Sequence, residues 1–370
     1  MSPRPIRIAY VIDALYAPAG GTEGQLLHLL NRMDRERFEP KVFCLRDAEP
    51  PMPGNVVLDL HLSASPATLA RIWNFSRILR DGDFDIVQTH FRDANIVGVL
   101  AAWLARTPVI ISTRRGVPYW EQSSGLRFLR WLNGRVTWFI ANSEATRQRY
   151  ATAEGFDPAR VDVIYNGLEP ERFTGLDPGN RRRLREDLGL ADHDLVVGIV
   201  ANLRPVKGLR DFVEAAACVA AEIPQARFVV VGRGPEESKL RELAESLGIG
   251  SKMRFAGARP DVPDLLQAFD VGVLASHFES FSNSVLEYIA AGLPVVVTDV
   301  GGVREAVEEG RQGFIVPAHA PDIMADRLRT LLAHEGGPRA WRTENGIDRK
   351  FEVGAMVEGH QRLYARLAPR

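Results

Sequence analysis

The sequence predicts an α/β protein made of two doubly wound halves, each a parallel sheet covered by helices on both faces. Three observations carry this expectation. Short β-branched runs alternate with helical segments, the alternation lapses near the middle, and it then restarts. A chain of 370 residues is also too long for one typical core.

In chain order, the first half offers strand segments IRIAYVID (6–13), KVFCL (41–45), NVVLDL (55–60), DIVQTH (85–90), PVIIST (108–113), VTWFIANS (136–143) and VDVIYN (161–166). Helical periodicity falls between most of them, at 22–31, 67–80 and 94–105. After Asn166-Gly167 the stretch LEPERFTGLDPGN is rich in Gly, Pro and Asn and reads as a linker. The second half resumes with DLVVGIVAN (194–202), FVVVG (228–232), RFAG (254–257), DVGVLAS (270–276), PVVVTD (294–299) and FIVP (314–317). The expected division is an N-terminal domain over 1–168, a linker with a leading helix over 169–192, a C-terminal domain over 193–345 and a final helix over 346–370. That last helix can pack on either half, including back onto the N-terminal one. Ligands of such sheets bind outside the carboxyl ends of the strands, so two facing halves imply a cleft.

Composition excludes several function classes. Basic and acidic residues number 46 and 47, so there is no basic field of the kind nucleic acid recruits. Only five residues are lysine, which makes a lysine in a motif-like loop informative. Cys44 and Cys218 lie far apart in apolar runs and read as buried thiols of a reduced, cytoplasmic chain. The sequence shows neither the apolar segment of a signal peptide nor the ~18 apolar residues of a membrane span.

The loops after the strands hold the chemistry. In HFESFSNSVLEYIAAG (277–292), Glu279 sits in a loop after a buried strand, and Glu287 lies about one turn into the following helix. Ser282, Asn283 and Ser284 are good N-cap types, and an exposed helix start binds phosphate. Taken singly, each glutamate also fits a solvated position. In ANLRPVKG (201–208), Arg204 and Lys207 flank a proline in a loop leading to a helix, which suits a cationic clamp on a diphosphate; a solvated basic turn is the plainer alternative. VGRGPEESKL (231–240) has Gly232 and Gly234 but only a fragment of a dinucleotide fingerprint, and a tight turn explains it equally. Near the N-terminus, Gly20 and Gly21 precede Thr22 as an N-cap, so a backbone turn there could approach an anion.

Together these loops resemble the retaining glycosyltransferases of family 4, which have the two-domain GT-B fold. The segment 274–307 looks like that family's signature, with Glu279 and Glu287 ahead of a P-V-V strand and a Gly-Gly-x-x-Glu turn. AGGTEGQLLHLL, FIANSEA, VIYNGLEPERF, ANLRPVKG and VGRGPEE add matches in the right order along the chain. The resemblance implies a nucleotide-sugar donor, UDP- or GDP-linked, and transfer to an acceptor hydroxyl with retention, in polysaccharide, glycolipid or other glycoconjugate synthesis. It places Glu287 on the ribose and Glu279 beside the donor sugar. Main-chain N–H groups around Phe281, Ser282, Asn283 and Ser284 would meet donor groups and phosphate. Arg204 and Lys207 would neutralise the departing diphosphate, Gly20 and Gly21 would let their loop approach the substrates, and the base would stack near Arg233 and the GARPDV loop (257–262), with Gly232 and Arg259 among the donor-binding residues.

Two departures bear on this. Asn202 stands where relatives often carry arginine, with Arg204 a substitute two positions on. STRRG (112–116) lacks a histidine that many relatives carry, so Arg114 or Arg115 are the acceptor-side candidates. His90, at the end of a strand, is a catalytic or acceptor-side candidate and equally a structural hydrogen-bonder. The expected catalytic set is therefore Glu279, Arg204, Lys207 and His90. No D-x-D stands in a plausible metal loop, so no metal or other cofactor is expected. The acceptor is a carbohydrate or a lipid-linked one. Trp120, Phe128 and Trp131 interleave with Arg127, Arg130 and Arg135 and suit peripheral contact with an anionic membrane; the other reading is a helix with its aromatics on the core. Rival functions are a nucleotide-sugar epimerase of the same architecture and a non-catalytic nucleotide-sugar-binding protein.

Overall fold

The computed structural model describes residues 4–15, 21–47, 54–63, 65–116, 123–173, 178–341 and 346–369. The chain forms two compact units, Met1–Gly167 with Val353–Arg370, and Leu168–Glu352.

The first unit runs β1 (Ile6–Ile12), α1 (Gly21–Arg32), β2 (Phe38–Cys44), β3 (Val56–Val57), α2 (Pro66–Asp81), β4 (Ile86–Thr89), α3 (Arg92–Ala105), β5 (Val109–Arg114), α4 (Ser123–Asn133), β6 (Trp138–Ala141), α5 (Glu144–Glu154) and β7 (Val161–Val163). Its strands pair in the order β3-β2-β1-β4-β5-β6-β7, all parallel. The chain starts in the middle, winds to one edge, returns and winds to the other. The strand order therefore reverses between β1 and β4, and it is at the carboxyl ends of strands at such a reversal that sheets of this kind hold ligands.

The second unit runs α6 (Pro178–Asp187), β8 (Leu195–Val200), α7 (Leu209–Glu222), β9 (Ala226–Val231), α8 (Glu237–Ser246), β10 (Met253–Gly257), α9 (Val262–Leu265), β11 (Val271–Leu274), α10 (Asn283–Ala290), β12 (Val295–Thr298), α11 (Val303–Ala306), β13 (Gly313–Val316) and α12 (Pro321–Leu332). The order is β10-β9-β8-β11-β12-β13, again all parallel. Its reversal falls between β8 and β11. The last helix, α13 (Val353–Leu367), belongs to the first unit, where Val353, Met356, Leu363 and Tyr364 join the core beside α1.

Local chemistry explains these elements. β4, β5, β11 and β12 are buried along their whole length, which is why they read as unbroken apolar runs rather than alternating ones. Ser65 caps α2 by accepting the Thr68 N–H, with Pro66 as the first helical residue. Ser143 caps α5 in the same way, and Gly155 ends it in the left-handed conformation.

The structure departs from expectation in four places. Only Val56–Val57 of the segment 55–60 is a strand, and Asp59 takes a positive φ of 45°, which breaks an extended run. The stretch 169–192 is integral to the second unit, since Phe173, Leu184 and Leu190 are buried in its core and Arg185 pairs with Asp270 at 2.7 Å. Thr22 is inside α1 rather than its cap. Cys44 is buried, but Cys218 is exposed, because the buried stripe of α7 runs through Phe212, Val213, Ala216, Val219 and Ala220 and leaves position 218 outside it. No helix among the described residues is long and apolar enough to cross a membrane.

Candidate functional site

In the second unit, the loops after β8 and β11 meet at the reversal point. Their contact depends on Gly208, which sits at φ 61°; a Cβ there would lie 1.9 Å from the Ala275 carbonyl oxygen. The His277 N–H donates to the Val206 carbonyl at 2.9 Å, closing the two loops together. As a result Lys207 and Glu279, 72 residues apart, form an ion pair, and the Ser276 hydroxyl donates to the same Glu279 oxygen at 3.1 Å. Behind them the loop after β12 presses on the Glu279 main chain at Gly301, φ 54°, where a Cβ would stand 2.0 Å from the Glu279 carbonyl oxygen.

α10 follows directly. Ser282 is its N-cap residue yet makes no side-chain cap bond, and its hydroxyl lies 3.0 Å from that of Ser284. Phe281 is buried and packs on Phe351. Glu287 is half-buried one turn in. Burial pushes its carboxyl up to about 7, opposed by the charge of Arg172. Its carboxylate has no hydrogen bond or ion pair within the described residues. Its neighbour Tyr288 points the other way and accepts the Val200 N–H at 2.7 Å, tying α10 to the end of β8.

The remaining second-unit candidates are less uniform. Arg204 is exposed and starts the turn Pro205–Lys207. Arg233 is also exposed. The Gly232 N–H donates to the Gly257 carbonyl at 2.8 Å, so it is already satisfied by backbone. Arg259 holds Asp261 with two hydrogen bonds, and this contact pulls the Asp261 carboxyl below its usual range.

In the first unit, Gly20 lies outside the described residues, and Gly21 opens α1 at φ 58°. His90 is buried after β4, beside Gln88, Thr113 and Tyr10. Tyr10 donates to the Tyr364 hydroxyl (3.0 Å), which donates to the Gln88 side-chain oxygen (2.7 Å). The Gln88 amide then donates to His90 Nε2 (3.1 Å). This direction leaves the ring proton on Nδ1, 3.4 Å from the Thr113 hydroxyl. Burial, with the charge of Arg115 second, holds the His90 pKa well below its ordinary value, so the ring is neutral at pH 7.

The two arginine candidates separate. Arg114 is buried, paired to buried Glu154 at 2.7 Å and bonded to Asn133 and Ser112, so its charge is already satisfied within the first unit. Arg115 donates to the Asn166 side chain at 3.2 Å, and burial lowers its pKa to about 10. Sequence reasoning did not single out Tyr364 or Tyr288, since an aromatic on an amphipathic helix reads only as core. It also passed over His277, which now stands beside Lys207 and Glu279.

Two Rossmann-like units, each with polar loops gathered at the reversal point of its sheet, define a two-domain α/β protein. The family model described as Glycosyltransferase Family 4 matches residues 19–172, and that described as Glycosyl transferases group 1 matches residues 180–348. The chain belongs to this glycosyltransferase family. It is 29% identical to the D-inositol 3-phosphate glycosyltransferase of Mycobacterium tuberculosis (strain ATCC 25177 / H37Ra), over 87% of this chain and 73% of that one. Among solved structures it is similar to Anabaena Alr3699/HepE in complex with UDP and glucose, with a TM-score of 0.84 and 24% identity over 98% and 100% of the two chains. It is also similar to WaaG, a glycosyltransferase involved in lipopolysaccharide biosynthesis, with a TM-score of 0.76 and 18% identity over 96% and 99%. The fold is GT-B, as the sequence predicts.

Proposed function

We propose that this glycosyltransferase moves a sugar from a nucleoside-diphosphate sugar to an acceptor hydroxyl with retention of anomeric configuration, in the synthesis of a polysaccharide, glycolipid or other glycoconjugate. The observation that carries the reading is the Lys207–Glu279 ion pair at the reversal point of one sheet, followed by a helix whose Glu287 carboxylate is unpaired among the described residues. Alr3699/HepE, which shares the fold, holds UDP and glucose in one structure and UDP-glucose in another.

In this reading the Glu287 carboxylate accepts the ribose hydroxyls, and Glu279 accepts hydroxyls of the donor sugar. Lys207, with Arg204, carries the positive charge that stabilises the departing diphosphate. The start of α10 offers N–H groups to the same phosphates. A leaving-phosphate oxygen takes the acceptor hydroxyl's proton as the new C–O bond forms on the face from which the diphosphate leaves. A diphosphate is already a good leaving group, so the site needs no general acid. Two cationic side chains supply the charge a metal would bring, and turnover is proposed to need none. Arg233 and Arg259 remain candidates for the base, and His90 and Arg115 for the acceptor side.

The test is release of nucleoside diphosphate from UDP- and GDP-sugars with and without an acceptor panel that includes sugars and lipid-linked sugars, in EDTA. Acceptor-dependent release in EDTA, with the product anomer retained by NMR, supports the reading. Nucleotide sugar interconverted without an acceptor would establish an epimerase instead, and an inverted anomer would remove the same-face step.

A lipid-linked acceptor gains support from the surface of α3 and α4. Trp103, Phe128 and Trp131 are exposed rather than on the core, and the Arg135 guanidinium lies 3.4 Å from the Trp131 ring centroid. Trp120 lies outside the described residues. Co-sedimentation with anionic but not neutral liposomes, weakened in Trp131→Ala, would support this contact.

A further inference from the structure

Beyond the proposed donor site, the second unit brings two histidines and an aspartate together from three separate segments. Asp211 lies in the first turn of α7, after β8; His277 follows β11; His319 follows β13, just before α12. All three therefore stand at the carboxyl edge of one sheet. The His277 Nε2 is 2.8 Å from Asp211 Oδ2, and His319 Nδ1 is 4.0 Å from that same oxygen. The three ligand atoms lie within 4.8 Å of one another, with the imidazole centroids 3.7 Å apart.

The backbone supports this convergence. His319 adopts φ 59°, a left-handed conformation that is uncommon for a non-glycine residue. Gly208 leaves room for His277, since a Cβ there would be 2.9 Å from its Nε2. Asp211 is buried, His277 half-buried and His319 exposed, so the cluster has a closed base and an open side.

We propose that Asp211, His277 and His319 form a binding site for a borderline divalent transition ion of the Zn²⁺ class. Imidazole nitrogen with one carboxylate oxygen is the donor set such ions prefer, whereas Mg²⁺ and Ca²⁺ prefer all-oxygen sites. Metal–ligand bonds of about 2.0–2.1 Å put tetrahedral ligand atoms about 3.3 Å apart. The observed separations of 2.8 and 4.0 Å bracket that spacing. Rotation of the exposed His319 side chain closes the longer one. Three protein ligands leave a fourth position for water or a ligand atom. The ion would pin the loop that carries Glu279 to α7 and to the start of α12. It is separate from the transfer chemistry and does not rest on the donor assignment.

The test uses full-length, tag-free protein with Cys218→Ala, so that the exposed thiol cannot contribute. Bound metal is counted by mass spectrometry after dialysis against ZnCl₂, and affinity is measured by competition with a chromophoric chelator. About one ion per chain is expected, with Mg²⁺ unable to displace it. Affinity should fall in His319→Gly and His277→Ala by more than the ~10–100-fold that loss of a merely supporting contact costs. His319→Gly also replaces a left-handed residue with glycine, so the melting temperature of its metal-free form should not fall, which separates lost binding from lost folding. Absence of Zn²⁺ uptake by the parent protein would overturn the proposal. So would equal affinity in the parent and both histidine variants.

Discussion

Nucleotide-sugar affinity should depend on pH through Glu287. In the ligand-free protein burial raises this carboxyl to about 7, so at pH 6 it is mostly protonated. A carboxylate that accepts two ribose hydroxyls is favoured in its charged form, and its pKa returns toward the ordinary ~4.3. Binding at pH 6 must therefore release a proton, whereas binding at pH 8 does not. The apparent Kd scales as one plus ten to the power of the free pKa minus the pH. That factor is about 11 at pH 6 and about 1.1 at pH 8, a tenfold weakening worth ~1.4 kcal/mol. UDP-glucose is the suitable probe because its diphosphate stays fully ionised over this range. Calorimetry in two buffers of different ionisation heat should show release of about 0.9 proton at pH 6. Glu287→Gln should bind more weakly at pH 8 and show no pH dependence. A wild-type Kd that changes less than about twofold, or an equal dependence in Glu287→Gln, would refute the reasoning.

Three further outcomes follow from the geometry. Lys207→Ala should lower kcat about 100-fold or more with a smaller effect on KM, as expected for charge stabilisation of the departing diphosphate, and steady-state kinetics checks this. Gly208→Ala should destabilise the second unit by more than ~1 kcal/mol in urea unfolding, because the added Cβ meets a backbone carbonyl that cannot swing away. Glu154→Gln should cost about 3 kcal/mol or more in the first unit by leaving buried Arg114 without its counter-charge, while Glu214→Gln, whose partner Arg210 is exposed, should change stability by less than ~1 kcal/mol.

Much of the fold was legible because β-branched runs and turn residues act locally. The strands around IRIAYVI, LVVGIV and VVVT are buried on both faces, and burial of that kind writes itself into composition. The spacing of Glu279 and Glu287 likewise placed one in a loop and the other a turn into a helix. What stayed hidden depends on contacts between distant segments. Nothing local distinguishes Arg114, locked to Glu154, from Arg115 beside it. The pairing of Lys207 with Glu279 and the meeting of Asp211, His277 and His319 exist only once β8, β11 and β13 are ordered in one sheet. Helix α13 joined the first unit for a similar reason, since its apolar stripe is complementary to any helix-covered sheet and only packing beside α1 decides which.

The central claim, that the second unit binds a nucleotide sugar, is tested most directly by a thermal-shift panel of UDP, GDP, their sugars and NAD. A ligand at 100 times its Kd adds about 2.7 kcal/mol to the state it binds, which for a unit of this size raises the melting temperature by roughly 5–10 °C. The account predicts such a shift for at least one nucleotide sugar, absent in Glu287→Ala, and none for NAD. A flat response to every UDP- and GDP-sugar, or a shift by NAD alone, would contradict it.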